Sequence, residues 1–403
     1  MSGNLSGFMI FLSQRSIYLT TGGISMQIER VRAAIVGCGM ISREYMKVLT
    51  GPLKIIEVVA CCDLDTARAN AVADNYGIQS LSYEEILADD TIEMIINLTN
   101  PNAHYSIIKQ ALEHKKHVYS EKMIAVELEE GKELCELAKK QGVRLGVAPD
   151  TFLGGGIQTA RYLIDHGIIG EVTSVVASLN RDFSIYGDIL PHLYKKGGNI
   201  PFDVGCYYLT ALASILGPVK KVSGFTKIHN PNRENNRTDR EKFLEPVTVE
   251  SENIMVAALE YESGVLGTFH ISSESIVDEK PHLEIYGTKG IVTIGDPNTF
   301  GCPVYLKKAQ AEEFKFPYTH GFLKEGRGLG AADMAWAIRK NRTHRASMEM
   351  GYHVFEMLHS ILRSSMEERT IYLESTFERP NPLLEGYFDM GEWGPTVERV
   401  LVD

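Results

Sequence analysis

Three short stretches carry residue types that could do chemistry together: Gly37-Cys38-Gly39-Met40-Ile41-Ser42, Glu121-Lys122, and Asp203-Val204-Gly205-Cys206-Tyr207. In the first, Gly37 permits a tight turn and Gly39 leaves the backbone open to an approaching phosphate. The amides of Met40 and Ile41 would head a helix, where anions are favoured. In the second, the Lys122 amine can hydrogen-bond a hydroxyl and take its proton as hydride leaves the adjoining carbon. A neighbouring positive charge and partial burial would lower the lysine pKa towards a useful range. In the third, residues 203–216 read as a helix stopped by Gly217-Pro218. The i, i+4 spacing then aims the Asp203 carboxylate and the Tyr207 phenol at the same small molecule. The plainer readings are a solvated surface lysine, an N-capping aspartate and a packing tyrosine.

The elements around these residues say how they are held. Val31 to Val36 is a β-rich apolar run, the glycine turn follows, and a helical pattern begins at once. A second apolar run, Ile55 to Cys62, ends on Asp63, about 20 residues beyond the turn, which is the order of parts in a βαβ dinucleotide site. Asp63 is placed to accept hydrogen bonds from an adenosine ribose. Its charge would repel a 2′-phosphate and favours NAD, while Arg68 leaves NADP open. Ser42 stands where a third glycine or alanine is usual. The run from Thr91 to Leu98 is a buried strand, and Thr99, Asn102 and His104 lie at its end, with Pro101 in the first turn of the next helix. His117 to Ser120 is a strand ending on Glu121-Lys122, a helix covers Val126 to Lys140, and Arg144 to Ala148 is one more strand. This alternation implies a doubly wound parallel sheet. Ligands of such sheets bind beyond the carboxyl ends of the strands. The candidate cofactor residues are therefore Gly37, Gly39, Met40, Ile41, Asp63, Thr99, Asn102, His104, Glu121 and Lys122.

After Pro149 the texture changes. Thr151 to His166 reads as one helix, interrupted at Gly154-Gly155-Gly156. Long β-rich runs follow at 172–181, 219–228, 247–261, 265–272, 282–286 and 291–294, with hairpin turns at 262–264 and 287–290. Their alternation suggests a large, mostly antiparallel sheet with one face covered. Residues 229–242 are polar and read as a mobile loop. Helices return at 331–340 and 349–363. With 403 residues, 44% of them hydrophobic, two domains are expected. Residues 28–149 form the Rossmann domain, 150–403 an α+β substrate-binding and oligomerisation domain, and 1–27 an extension outside the fold. A net charge of −11 argues against nucleic-acid partners and anionic membrane surfaces. Gly7 to Ser13 is apolar but too short to span a membrane. The six cysteines contain no C-x-x-C pair and no histidine pair has ligand spacing, so neither a disulfide framework nor a metal site is expected. Reduced cysteines fit a cytoplasmic protein.

In combination, Gly37-Cys38-Gly39-Met40-Ile41, Thr99 with His104, Glu121-Lys122 and Asp203-x-Gly205-x-Tyr207 resemble the glucose–fructose oxidoreductase / inositol dehydrogenase / MocA family, over roughly residues 30 to 375. The resemblance implies NAD(P) held by an N-terminal Rossmann domain, and oxidation of a sugar, glycoside or cyclitol hydroxyl or the reverse. It implies Lys122 as catalytic lysine, Asp203 as the residue orienting the substrate hydroxyl, and Tyr207 as proton-transfer partner at a position that is His or Tyr in relatives. Lys122 and Tyr207 could share the proton, the lysine's charge lowering the phenol's pKa. Glu121 would contact the nicotinamide ribose. Candidate substrate contacts are His192, Arg181 and Asp150, and the open sheet would form homodimers or homotetramers. Met123 stands where relatives usually have proline. A cis bond before a non-proline residue costs about 3 kcal/mol, so this loop is expected to be reshaped. The run from Pro149 to Gly156 also departs from the commoner Asn/Arg-rich version, and suggests a subgroup acting on larger glycosides. Two competing functions are NAD-dependent glycoside cleavage through transient oxidation and elimination, and a non-catalytic nicotinamide-dependent sensor.

Overall fold

The structure is a computed structural model that describes residues 9–12, 16–21, 24–182, 190–235, 237–274 and 282–386. Strands β1 (Met9–Leu12), β2 (Ser16–Thr21) and β3 (Ile24–Glu29) form a small antiparallel sheet in that order. It precedes β4 directly, and the carbonyls of Glu29 and Arg30 accept hydrogen bonds from Arg339 at 2.8 and 2.9 Å.

The first large unit runs β4 (Val31–Val36), α1 (Ser42–Thr50), β5 (Ile56–Cys62), α2 (Thr66–Tyr76), β6 (Gln79–Ser80), α3 (Tyr83–Ala88), β7 (Met94–Asn97), α4 (Pro101–Glu113), β8 (His117–Ser120), α5 (Leu128–Gln141) and β9 (Leu145–Val147). The six strands are parallel, in the order β6-β5-β4-β7-β8-β9. All four residues of β7 are buried, as strands covered on both faces require. Local chemistry sets the helix ends. Asp65 caps α2 by accepting from the amides of Ala67 and Arg68, at 3.1 and 3.3 Å. Ser82 and Glu85 form a reciprocal capping box on α3. Gly77 and Gly142 close α2 and α5 in the left-handed conformation. The winding reverses where β4 lies between β5 and β7, and the loops after β4 and β7 open a crevice there.

The second unit comprises α6 (Gly155–Asp165), β10 (Val172–Asn180), α7 (Cys206–Leu216), β11 (Val219–Lys227), β12 (Asn232–Glu234), β13 (Pro246–Thr248), β14 (Ile254–Tyr261), β15 (Leu266–Ser272), β16 (His282–Gly287), β17 (Gly290–Ile294), β18 (Val304–Lys308), β19 (Phe314–Lys315), α8 (Leu329–Lys340), α9 (Met348–Glu367) and β20 (Ile371–Tyr372). Nine strands join in the order β19-β18-β17-β16-β10-β15-β14-β11-β20. β10 and β15 are parallel, and the other neighbours antiparallel. Burial alternates along β14 and β15, so one face is covered and the other open. On the covered side α6 packs on β17 and β18, and α9 on β11. The fold is thus the expected α/β class, a parallel Rossmann sheet beside a mostly antiparallel one.

Several elements differ from the sequence expectation. Thr151–Leu153 is a short 3-10 turn, Gly154 is extended, and α6 starts only at Gly155. The reason is close backbone approach. A Cβ on Gly154 would lie 2.4 Å from the Phe300 carbonyl oxygen, and one on Gly156 would lie 2.3 Å from the Cys302 sulfur. The run expected at 203–216 begins as a π turn, Pro201–Gly205, before α7. The helix α7 is buried on every side, Thr210 and Ser214 included. The 247–261 run splits into β13 and β14. Part of the expected loop at 229–242 is β12, paired with β13.

A Gly154→Ala variant should lose about 1–3 kcal/mol of stability, the ordinary cost of overpacking. Urea unfolding measures it, and an unchanged midpoint would contradict the close approach to Phe300.

Candidate active site

The glycine turn is built as a phosphate cradle would be. Gly37 has a φ of 97°, and a Cβ there would meet the Leu98 and Thr99 backbone at 2.8–2.9 Å. A Cβ on Gly39 would meet nothing within 4 Å, so the space over it is open. Met40 is exposed beside it. Ser42 is buried and its hydroxyl donates to the Gly39 carbonyl at 2.6 Å, tying the turn to the first turn of α1. Asp63 lies at the carboxyl end of β5. Its Oδ2 accepts from the Cys38 amide at 2.8 Å, and its Oδ1 from the Asp65 amide at 2.8 Å. Arg68 approaches Asp63 Oδ2 at 3.5 Å and also pairs with Asp65, so a cation stands beside the ribose position. These features fit a dinucleotide.

Thr99 and His104 follow β7. The Thr99 hydroxyl donates to Asn97 Oδ1 at 2.7 Å. His104 is fully buried, with Nδ1 2.6 Å from the Met123 carbonyl and Nε2 2.9 Å from the Thr99 carbonyl. Burial pulls its pKa down, and a neutral ring donates to one of the two carbonyls at a time. Its imidazole thus packs between the loop after β7 and the loop after β8 and is hydrogen-bonded to one of them at a time. Asn102 is exposed on the first turn of α4. The Lys122–Met123 peptide is cis, contrary to the expectation of a reshaped loop. Met123 is buried, and its carbonyl is held by His104.

The chemical centre joins the two units. Lys122 Nζ lies 2.7 Å from Asp203 Oδ1 and 5.5 Å from the centroid of the Tyr207 ring. The π turn followed by α7 carries Asp203 and Tyr207 to the same amine. Glu121 is buried. Its Oε1 accepts from the Tyr45 hydroxyl at 2.7 Å and its Oε2 from the Lys122 amide at 3.2 Å. His192 lies close enough to both Asp203 and Lys122 to feel their charges, and burial lowers its pKa.

One electrostatic expectation, a lowered Lys122 pKa, is reversed, and another, that the lysine's charge lowers the phenol's pKa, holds as a contribution that burial outweighs. Burial pulls the Lys122 pKa down, but the Asp203 carboxylate, and after it Tyr207, outweigh burial, so the ammonium is held well above the usual lysine value. Burial also dominates at Tyr207 and pushes the phenol up to about 12, against the pull of Lys122 and Arg327.

Of the expected substrate contacts, Asp150 spends one carboxylate oxygen on backbone amides. It is buried, and its Oδ2 accepts from the amides of Gly328 and Gly330, both at 2.9 Å. Burial raises its pKa to about 6. Arg181 reaches the centre indirectly, through Asp296 at 3.3 Å, whose other oxygen accepts from the Asn298 amide at 2.9 Å. Sequence reading missed Arg327. Its Nη2 donates to Asn298 Oδ1 at 2.7 Å and, at a long 3.4 Å, to the Tyr207 phenol. It lies in a glycine-flanked loop 120 residues beyond Tyr207, with no local pattern to announce it. Among the described residues no group of three or more His, Cys, Asp or Glu could hold a metal ion, and no helix is long and apolar enough to cross a membrane.

Fold and site together define a two-unit, dinucleotide-binding protein with an amine, a carboxylate and a phenol gathered at the crevice. Residues 31–148 match the family model described as "Oxidoreductase family, NAD-binding Rossmann fold", and residues 157–293 match the "GFO/IDH/MocA C-terminal domain". The chain belongs to the Gfo/Idh/MocA oxidoreductase family. It is 27% identical over 242 residues to D-xylose dehydrogenase of Paenarthrobacter nicotinovorans, covering 57% of this chain and 61% of that one. It is 26% identical over 253 residues to D-glucoside 3-dehydrogenase of Escherichia coli, covering 60% of this chain and 69% of that one. The aligned part thus spans less than two thirds of the xylose enzyme. Levoglucosan dehydrogenase in complex with NADH has the same fold, with a TM-score of 0.74 at 16% identity, covering 86% of this chain and 100% of that one.

A Gly39→Ala variant should keep its melting temperature, because the new Cβ meets no protein atom, yet bind NAD at least about tenfold more weakly, since it fills the close-approach position of the fingerprint. Calorimetric titration reads this, and unaltered affinity would place the pyrophosphate elsewhere.

Proposed function

We propose that the protein is an NAD-dependent oxidoreductase that moves hydride between a carbinol carbon of a sugar, glycoside or cyclitol and the cofactor. The observation that carries this reading is the 2.7 Å Lys122–Asp203 pair with the Tyr207 ring 5.5 Å from the same amine, at the carboxyl end of β8. Bound in the crevice, a nicotinamide supplies the hydride acceptor. The chain's own residues do the rest. Asp203 can accept a hydrogen bond from a substrate hydroxyl while holding Lys122 charged. Lys122 can donate to the oxygen that becomes the carbonyl, stabilising charge as it develops. Tyr207 and Lys122 flank the hydroxyl proton. Glu121, fixed by Tyr45, accepts from the Lys122 amide and would contact a nicotinamide ribose. The open space over Gly39 and the position of Asp63 at the end of β5, hydrogen-bonded to the Cys38 amide of the glycine turn, support NAD. The Arg68–Asp63 contact keeps NADP in view.

The division into a cofactor unit at 28–149 and a substrate and oligomerisation unit at 150–403 follows the same reading. The named activities of the relatives, on xylose, a glucoside and levoglucosan, support a sugar substrate. Phe225, Val256 and Leu266, 77%, 43% and 57% exposed, lie on the open face of the nine-stranded sheet, with Phe225 and Val256 directly paired. An apolar patch of this kind marks a contact surface, and its occupant is proposed to be a second copy of the chain. Six free cysteines agree with a cytoplasmic location.

A panel of sugars, glycosides and cyclitols, followed by NADH absorbance, tests the activity. A Lys122→Met variant should bind NAD normally but lose about 10²–10⁴-fold in turnover, the usual worth of a positioned acid–base group. Full turnover in that variant would end the assignment. A Phe225→Asp variant should sediment as a smaller species than the wild type, and an identical sedimentation coefficient would remove the sheet face from any assembly.

A further inference from the structure

Tyr207 stands between two cations that are not equivalent. On one side Lys122 is committed to Asp203. For it to receive a proton, the ammonium would first have to lose one beside a carboxylate that favours its charge. On the other side Arg327 places its guanidinium carbon 5.9 Å from the Tyr207 ring centroid and its Nη2 3.4 Å from the phenolic oxygen. An N–H aimed at that oxygen binds a phenolate more strongly than a phenol. A guanidinium does not give up its own proton, so it can stabilise the oxygen without competing for the substrate proton.

The guanidinium is also fixed. Nη2 donates to Asn298 Oδ1 at 2.7 Å, Nη1 pairs with Glu325, and the Arg327 amide donates to Glu325 Oε1 at 3.0 Å. Gly328 follows with a φ of 109°, its amide bound to buried Asp150. Asn298 is anchored in turn by Asp296, which also receives Arg181. A cation held from three sides near a buried phenol exceeds what packing needs. The charged and titratable groups facing Tyr207 are Lys122 and Arg327, which favour the phenolate, and Glu121 and Cys206, which oppose it.

We propose that Arg327 is a positioning residue that holds the Tyr207 oxygen as the proton acceptor, so that the substrate proton passes to Tyr207 while Lys122 stays charged and orients the substrate oxygen. The proposal rests on the hydroxyl-oxidation reading above. In the oxidising direction the carbinol C–H bond breaks and its electron pair leaves with the hydrogen towards the nicotinamide. The O–H proton goes to the tyrosinate oxygen, and the C–O single bond becomes the carbonyl. The phenol then returns its proton to water.

The test is the pH profile of kcat/KM for the sugar at saturating NAD, where the positive charge of the oxidised nicotinamide joins Lys122 and Arg327 in drawing the phenol down, measured with the best of D-xylose, methyl β-D-glucoside and myo-inositol, with the melting temperature recorded for each variant. Removing the guanidinium charge raises the Tyr207 pKa further, so the rising limb of the profile must move to higher pH. In Arg327→Gln the limb should move up by about one unit or more, a loss of about tenfold at neutral pH that is regained as pH rises. In Arg327→Lys it should stay nearer the wild-type position, and in Tyr207→Phe it should vanish. Should Arg327→Gln fail to fold, Asn298→Ala, which frees Nη2, should shift the limb in the same direction. A limb that stays in place in Arg327→Gln and Asn298→Ala, with rates lowered evenly at every pH, would overturn the proposal. So would survival of the limb in Tyr207→Phe, which would give the proton to Lys122. If the wild type oxidises none of the three while still binding NAD, the underlying reading fails first and this proposal falls with it.

Discussion

The contact between Lys122 and Asp203 is the constraint on which the site depends. One partner hangs from the last residues of a parallel strand, and the other from a π turn in the second unit. Neither side chain is far from solvent, at 16% and 27% exposure, yet each loses much of its hydration. Such a pair is held only when geometry is good and the surrounding polar groups are satisfied. The surroundings meet that demand. His104 packs between the Lys122–Met123 loop and Thr99, Glu121 ties the loop to Tyr45, and Pro201–Gly205 lies against Phe269 and Ile271 with no room for a Cβ at Gly205.

The same contact decides the charge state of the centre. With the carboxylate 2.7 Å away, the lysine is an ammonium that orients and stabilises, rather than a free amine waiting for a proton. Tyr207 is buried, and its environment alone would keep it a phenol. The two flanking cations act against that burial. The cofactor end follows a separate logic of backbone space. Gly37 is needed because Leu98 presses on it, and Gly39 because nothing does.

Much of this was legible in the sequence because it is local. The strand–turn–helix at Val31 to Thr50, the acid ending β5 and the alternation through residue 148 each sit within a few tens of residues. The pairing of Asp203 with Tyr207 one turn apart was also legible, and both lie near Lys122. What was not legible depends on distant partners. Arg327 meets Tyr207 across 120 residues, and no periodicity encodes that. The bond from the Asp150 carboxylate to the Gly328 and Gly330 amides spans about 180 residues and leaves no local pattern. The triple glycine at 154–156 reads as a helix breaker, and its purpose appears only with Phe300 and Cys302 against it. The direction of the Lys122 shift failed for a related reason, since burial can be guessed from pattern but the distance to a counter-ion cannot.

The measurement that tests the central claim most directly is a crystal structure of the protein with NADH and an oxidisable sugar. The account predicts one sugar oxygen within about 3.2 Å of both Lys122 Nζ and Tyr207 Oη, the reach of a proton-transfer hydrogen bond, with Lys122 still paired to Asp203. A sugar oxygen that touches neither group, or a Lys122 amine swung away from Asp203 towards solvent, would contradict it.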